Sequence, residues 1–171
     1  MTNDKKTKPI GTTDLFGISG VSKSDRRIQL LGALDEASAA LSLAKAFIQD
    51  EEDKQSLETC QSQLSSLMGF VASIGTNHDL NDDEQFFAQE LEELEGKLEN
   101  LKEAVTLPRK FIFFGDNPQT GTLDIARTII RRAEREATLI LNEFGVKLDN
   151  GRQYLNRLST LCYLLILKYR S

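Results

Sequence analysis

A chain of 171 residues at 19.2 kDa carries enough apolar sequence to bury a substantial core, and its length fits one ordinary domain. Its composition, 40% hydrophobic and 27% charged with a mean hydropathy of -0.33, excludes disordered and fibrous classes. A net charge of -5 and a pI near 5.0 argue against general nucleic-acid binding, which needs a basic surface. No window reaches the roughly 18 uncharged apolar residues that a membrane span needs. The opening MTNDKKTKPIG lacks the apolar centre of a signal peptide, so the expected location is the cytoplasm. Cys60 and Cys162 fall inside apolar helical patterns, and the single histidine, His78, leaves no cluster able to hold structural zinc. A Ser-His or Cys-His nucleophilic apparatus is excluded as well, unless His78 alone serves it.

Residues 1–22, rich in Lys, Thr, Gly and Ser, show no helical period and read as a flexible N-terminal segment. Residues 23–171 read as one helical domain, and nothing alternates convincingly with period two. After Ser24, Leu30, Leu34, Ala37, Leu41, Ala44 and Ile48 form one stripe of a helix ending near Asp50. A second helix begins behind Glu51, Glu52 and Asp53, carboxylates that suit a helix N-terminus. It carries Leu57, Cys60, Leu64, Leu67, Val71 and Ile74, and stops at Gly75. The third opens with Asn81 and Glu84 in capping-box spacing, carries Phe87, Leu91, Leu94, Leu98, Leu101 and Val105, and is closed by Pro108. An aromatic link, Leu107–Gln119, follows. The fourth helix, from about Thr120 to Phe144, carries Leu123, Ala126, Ile130, Ala133, Ala137 and Ile140, with Gly145 as its cap. The fifth, from about Asn150, carries Leu155, Leu158, Cys162, Leu165 and Tyr169. Five amphipathic helices with short links predict an all-α, antiparallel five-helix bundle.

The most unusual polar feature is Arg127, Arg131, Arg132, Glu134 and Arg135, four arginines within nine residues of an acidic protein. Spacing by four puts Arg127, Arg131 and Arg135 on one flank beside the apolar stripe. Two readings stand: a salt-bridged solvated face, or a polyphosphate clamp that uses the guanidinium fork. Gly11, Thr12 and Thr13, with Gly17 and Gly20, could wrap phosphates with backbone N–H groups, and Lys23 could face the same anion; a plain tail and a solvated lysine are the alternatives. In the run Phe111-Ile112-Phe113-Phe114-Gly115 some rings pack into the bundle, and one or two could meet a large flat apolar ligand. Asp35 and Glu36 fall mid-helix and want cations, which the fourth-helix arginines could supply. Asn156, beside the fifth stripe, is either a core-edge hydrogen bonder or a ligand contact. Glu90, Glu92, Glu93 and Glu95 read as a solvated face, and His78 as exposed and idle.

In order along the chain, these residues resemble the PduO-type ATP:corrinoid adenosyltransferases, from Gly11 to Leu165. Ala126-Arg127-Thr128-Ile129-Ile130-Arg131-Arg132-Ala133-Glu134-Arg135 is similar to the family's ART-x-x-RRAER signature. Tyr154-Leu155-Asn156-Arg157-Leu158-Ser159 is similar to YLNRLSD, and Val21-Ser22-Lys23-Ser24-Asp25 with Arg27, Gly32, Asp35 and Glu36 to its RVSKxD-x-R…G-x-x-DE segment. Phe111-Ile112 with Gly115 and Pro118 resembles FILPGG-x-P. The resemblance implies a ferritin-like bundle that assembles as a homotrimer, with ATP and corrinoid (cobalamin) bound between subunits. It implies that Gly11, Thr12, Thr13, Lys23, Arg131, Arg132, Glu134, Arg135 and Asn156 bind ATP. The parts implied in catalysis fall to Arg131, to Phe111 beneath the corrin ring, and to an intersubunit Asp35–Arg127 pair. Magnesium accompanies ATP, no side chain is assigned as a metal ligand, and an electron-donating reductase is an implied partner. The chain departs from the family at Thr7-Lys8-Pro9-Ile10-Gly11, where Gly-Asp-Lys is missing, at Phe114-Gly115-Asp116, at Ala37-Ser38, and at Asp124, where the family has His. The loop departure motivates a second reading, a catalytically weakened nucleotide- or corrinoid-binding paralogue acting as sensor or carrier. A purely structural bundle is the third.

Overall fold

The computed structural model describes residues 9–110 and 112–170. Among these, a hairpin of β1 (Thr12–Leu15) and β2 (Ile18–Ser22) precedes α1 (Arg26–Phe47), α2 (Glu51–Ser73), α3 (Asn81–Ala104), α4 (Pro118–Phe144) and α5 (Asp149–Tyr169). α1, α2 and α4 start where the sequence offers an acceptor or a preset backbone, whereas α3 and α5 start behind Leu80 and Leu148 with no side-chain cap. Asp25 accepts from the Arg27 N–H ahead of α1, and Asp50 accepts from the Glu52 and Asp53 N–H groups ahead of α2. Asn117 and Thr120 cap each other reciprocally at α4, with Pro118 in its first turn, and Gly145 ends that helix in the left-handed region at φ 61°.

The stripes read from the sequence are the core. Leu30, Leu34, Ala37, Leu41, Ala44 and Ile48 of the first stripe are fully buried, as are Leu123, Ala126, Ile130, Ala133, Ala137 and Ile140 of α4. Alanines on both α1 and α4 keep their facing side chains short, which lets those two helices pack closely. α5 packs on the other side of α4, α3 lies against α5, and α2 lies against α1. Hydrogen bonds fix the directions. Arg27 at the start of α1 reaches the Ile74 carbonyl at the end of α2, Asn117 at the start of α4 reaches the Tyr169 carbonyl at the end of α5, and Asn150 at the start of α5 meets Glu84 at the start of α3. The chain therefore alternates up and down, and the neighbours α3 and α5 run parallel.

Three expectations are corrected. The segment read as flexible through residue 22 contains the hairpin: Thr12 pairs with Ser22 and Thr13 with Val21, Gly17 turns the chain at φ 70°, and a bulge lies between Thr13 and Leu15. Strands of four and five residues interrupted by glycine are too short to show a period of two. Glu84 does not close a capping box. Its Oε2 accepts from the Asn150 N–H at 3.2 Å and its carbonyl accepts from the Asn150 amide at 3.0 Å, so it binds α3 to α5 instead. α3 also stops at Ala104, short of Pro108.

Arg27, in the first turn of α1, ties the turn that precedes this helix to the ends of α2 and α4. Its Nε and Nη2 donate to Asp25 at 3.0 and 2.8 Å, its Nη1 donates to the Ile74 carbonyl at 2.7 Å, and its guanidinium lies 5.0 Å from the centre of the Phe144 ring on α4. Gly75 leaves room for it, since a β-carbon there would stand 3.1 Å from Arg27 Nη1, at a backbone φ of 88° that side chains avoid. The hydrogen bond from Arg27 holds the Asp25 carboxyl below its usual range, and the same bond raises the guanidinium. The stabilisation tied to Asp25 ionisation is thus fully present above the ordinary value of 3.8 and is lost as pH falls through the lowered one. Arg27→Ala should lower the unfolding free energy by about 3 kcal/mol, because it leaves a partly buried carboxylate and a buried carbonyl unpaired. Denaturant unfolding at neutral pH measures this.

Candidate functional site

α4 carries the arginine row, and burial of its apolar stripe aims that row. Arg127 follows Ala126 and Arg131 follows Ile130, both stripe residues at 0% exposure, so the guanidiniums emerge along one edge of the core-facing side. Arg131, Arg132 and Arg135 are exposed and Glu134 is half-buried. Arg135 Nη1 donates to the Arg131 carbonyl at 3.0 Å, folding its side chain back along the helix. Arg132 pairs with Glu36 of α1, which realises the expected supply of cations to the mid-helix carboxylates for Glu36. The Asn156 amide of α5 donates to Glu134 Oε1 at 3.0 Å, joining those two predicted residues. Arg131 makes no side-chain hydrogen bond or ion pair among the described residues. The cluster thus presents an uncompensated guanidinium with Arg135 one turn away, an arrangement suited to an anion with several oxygens.

One turn earlier, Arg127 is set differently. Its Nε and Nη2 both approach Asp124 Oδ1, at 2.9 and 2.8 Å, and its guanidinium stands 5.9 Å from the centre of the Phe114 ring. Phe114 meets Tyr163 of α5 edge-on at 5.9 Å. Together with Lys110, Ile112 and Phe113 these residues line an open groove of about 330 Å³ between the link, α4 and α5. Phe113 is 82% exposed at its mouth. Phe111, expected beneath a corrin ring, lies outside the described residues. Sequence reasoning missed Tyr163 and Lys110; Tyr163 stands one residue after the stripe member Cys162, a place no periodicity marks as functional.

Asp35 is exposed and has no ion-pair partner among the described residues, so within one chain it does not meet Arg127. On the hairpin, the Gly11 carbonyl accepts from the Lys23 N–H at 2.8 Å and the Thr12 hydroxyl donates to the Pro9 carbonyl at 2.7 Å. Thr13 is half-buried and Lys23 exposed. Among the described residues, no hydrogen bond or ion pair joins Gly11, Thr12, Thr13 or Lys23 to the α4 cluster. Hydrogen bonds and ion pairs therefore join expected residues of α4, α1 and α5, and none among the described residues joins them to the hairpin. The acidic face of α3 is not wholly solvated, since Glu90 accepts from Gln63 and Glu95 pairs with Arg157. His78 is exposed but bonded to Asp83 at 2.8 Å. Cys60 and Cys162 are buried free thiols, and burial pushes both upward.

The match to known proteins covers this whole arrangement. The family model for cobalamin adenosyltransferase matches residues 4–169. This chain belongs to the cobalamin adenosyltransferase family. It is similar to the corrinoid adenosyltransferase PduO of Citrobacter freundii, 35% identical over 162 residues, and to that of Salmonella typhimurium at 34%. These matches take in 94% of this chain and 47% of each relative, so the chain spans about half the length of those proteins. A second corrinoid adenosyltransferase of Citrobacter freundii is 33% identical, with 90% of this chain and 86% of the relative covered. A variant PduO-type ATP:corrinoid adenosyltransferase from Lactobacillus reuteri, complexed with cobalamin and ATP, superposes with a TM-score of 0.83 at 25% identity, covering 97% of this chain and 89% of the other. Arg131→Ala removes an exposed side chain with no bonds to replace, so stability should change by no more than about 0.5 kcal/mol in thermal or denaturant unfolding.

Proposed function

We propose that this chain transfers the 5′-deoxyadenosyl group of ATP to the Co(I) centre of a reduced corrinoid such as cobalamin and releases triphosphate. The observation that carries the reading is the placement, one turn apart on α4, of Arg131, whose guanidinium has no partner among the described residues, and of Arg127, which lines an aromatic groove with Phe114. Names and bound ligands of the family relatives agree with it.

Co(I) is itself the nucleophile. It attacks C5′, a cobalt–carbon bond forms, and the C5′–oxygen bond breaks with its electron pair leaving on triphosphate. No protein nucleophile or base is required, which suits a chain whose one histidine is engaged by Asp83 on the surface. The protein's work is to align C5′ with cobalt and to stabilise charge building on the leaving phosphates. Arg131, Arg132 and Arg135 do the second, with Lys23 and the Gly11-Thr12-Thr13 backbone as further phosphate donors. Glu134, oriented by Asn156, fixes the nucleotide in register. Among the described residues no three His, Cys, Asp or Glu side chains converge into a metal cage, so magnesium fits as a companion of the triphosphate, held by phosphate oxygens and water. Phe111 would stand under the corrin ring, excluding water and the lower nitrogen ligand, and an electron-donating reductase would supply Co(I).

The active form is a homotrimer with its sites between subunits. Leu43 on α1 and Ile125 and Leu139 on α4 are exposed apolar residues on two adjacent helices, which a neighbouring copy would cover. A site between copies also brings the hairpin of one subunit to the α4 row of the next. Asp35 of one copy would then pair with Arg127 of its neighbour, whose Nη1 makes no ion pair among the described residues. No helix among the described residues is long and apolar enough to cross a membrane, and a cytoplasmic location is proposed with the rest.

Incubation with ATP, magnesium and chemically reduced cobalamin should yield the cobalt–carbon product, followed by its spectrum. Arg131→Ala should slow turnover by about 30- to 1000-fold, the loss of about 2 to 4 kcal/mol of transition-state stabilisation. A rate within about threefold of the unmodified protein would return the row to a solvated face. Retained nucleotide binding without product would point to a sensor or carrier. For Asp35 and Arg127, each single alanine variant should lose more activity than the pair itself is worth, because it leaves an unpaired charge, and the double variant should cost less than the sum of the two singles. Additive losses in that cycle, or a monomer in sedimentation analysis, would separate the two residues.

A further inference from the structure

The end of α5 touches the aromatic link at several points that the adenosyl-transfer reading leaves unused. Asn117, the last residue of the link, uses both ends of its side chain. Its Oδ1 accepts from the Thr120 N–H at 2.8 Å to cap α4, while its Nδ2 donates to the Tyr169 carbonyl at 2.9 Å. Beside it, Arg170 pairs with Asp116 of the link at 3.1 Å. Tyr169 and Lys168 are held in turn by the N-terminus of α2. Lys168 Nζ donates to Asp53 at 2.7 Å and to Asp50 at 3.2 Å, and the Tyr169 hydroxyl donates to Asp53. Asp53 is nearly buried, with its side chain 8% exposed, and Asp50 already caps α2. Burial and then the bond to Asp53 push the Tyr169 hydroxyl upward; for Lys168 desolvation pulls the ammonium down, and the bonds to Asp53 and Asp50 together outweigh it and raise it. The carboxylates of α2 therefore reach the link through a continuous set of bonds across the end of α5.

We infer that Asp53, Tyr169 and Asn117 form a clasp that positions the aromatic link, and so sets the shape of the corrinoid-side groove. The groove has three walls: α4 through Asp124 and Arg127, α5 through Tyr163, and the link through Lys110 and Phe114. The first two are helices packed into the core. The third is irregular backbone, with no sheet or helix ladder of its own between Val105 and Asn117 among the described residues. Near its end it is held at two points six residues apart on α5: Phe114 meets Tyr163, with Arg127 over the same ring, and Asn117 meets Tyr169, with the Asp116–Arg170 pair beside it. A loop tied at both points offers a preformed aromatic wall, and a loop tied at one samples others, which weakens binding of the ligand that needs that wall. Asp53, Tyr169 and Asn117 are positioning residues, since they line none of the groove. The corrinoid side of this inference rests on the proposed adenosyl transfer; the clasp itself does not.

Asn117→Asp tests the contact without disturbing the helix start, because aspartate keeps the oxygen that caps α4 and loses only the amide donor to Tyr169. Asp53→Asn tests the far end of the same set of bonds. Both should speed amide hydrogen exchange in peptides covering residues 112–117 by at least about fivefold, with exchange in the middle of α4 unchanged. Both should raise KM for reduced cobalamin by about tenfold while KM for ATP stays within about twofold. Asn117→Gln, which keeps amide chemistry but displaces it by one methylene, should fall between. Unchanged exchange in the link in both variants overturns the clasp. Faster exchange with both KM values rising together shows a general loosening and overturns its role in the groove. If the unmodified protein forms no cobalt–carbon product, the adenosyl-transfer reading fails, and the exchange measurement still decides whether the clasp holds the link.

Discussion

Everything proposed for this chain depends on the rotational setting of α4. A helix buries one stripe, and here the stripe from Leu123 to Ile140 is buried completely between α1 and α5. Leu123, Ile130 and Ile140 contribute roughly 1.5 to 3 kcal/mol each of transfer free energy and the alanines less, so a rotation that exposed the stripe would cost far more than a surface contact returns. Because Arg127 and Arg131 directly follow stripe residues, that same burial directs their guanidiniums to the edge of the packed face. The core holds the charged row in place and needs no bond to it.

The two halves of the row then diverge through their neighbours. Toward the start of α4, Asp124 and Phe114 engage Arg127, so its charge is partly neutralised and its guanidinium lies over a ring. Farther along, Arg131 has no ion pair among the described residues, while Arg132 meets Glu36 and Glu134 is turned toward Asn156. One helix therefore offers a partly compensated, aromatic surface and an uncompensated cationic one within two turns. A cofactor with a broad apolar face and a nucleotide with a polyphosphate tail need those two surfaces side by side.

The opposite ends of the bundle are held by different chemistry. At the end where α1 begins, a buried guanidinium, Arg27, joins the turn before α1 to the ends of α2 and α4. At the other end, two carboxylates of α2 hold the last turn of α5, which in turn holds the start of α4. Both arrangements use an ionised group whose partners come from separate segments, so each fixes elements that the apolar core alone would leave free to slide.

Helix number, helix order, the core stripes and the arginine row were legible in the sequence because each is local: a period of 3.6, a cap residue or a four-residue spacing exists in one dimension. The run from Ala126 to Arg135 and the run from Tyr154 to Ser159 identified the family for the same reason. The hairpin escaped because its strands are too short to show a period, and Glu84 was misread because its spacing from Asn81 fits a capping box, while its partner, Asn150, stands 66 residues away. Only the tertiary structure could pair Arg127 with Phe114, set Tyr163 into the wall of the groove, or connect Asp53 to Asn117 through Tyr169. Those relations join residues far apart in the chain, and packing several helices together is the step that creates them.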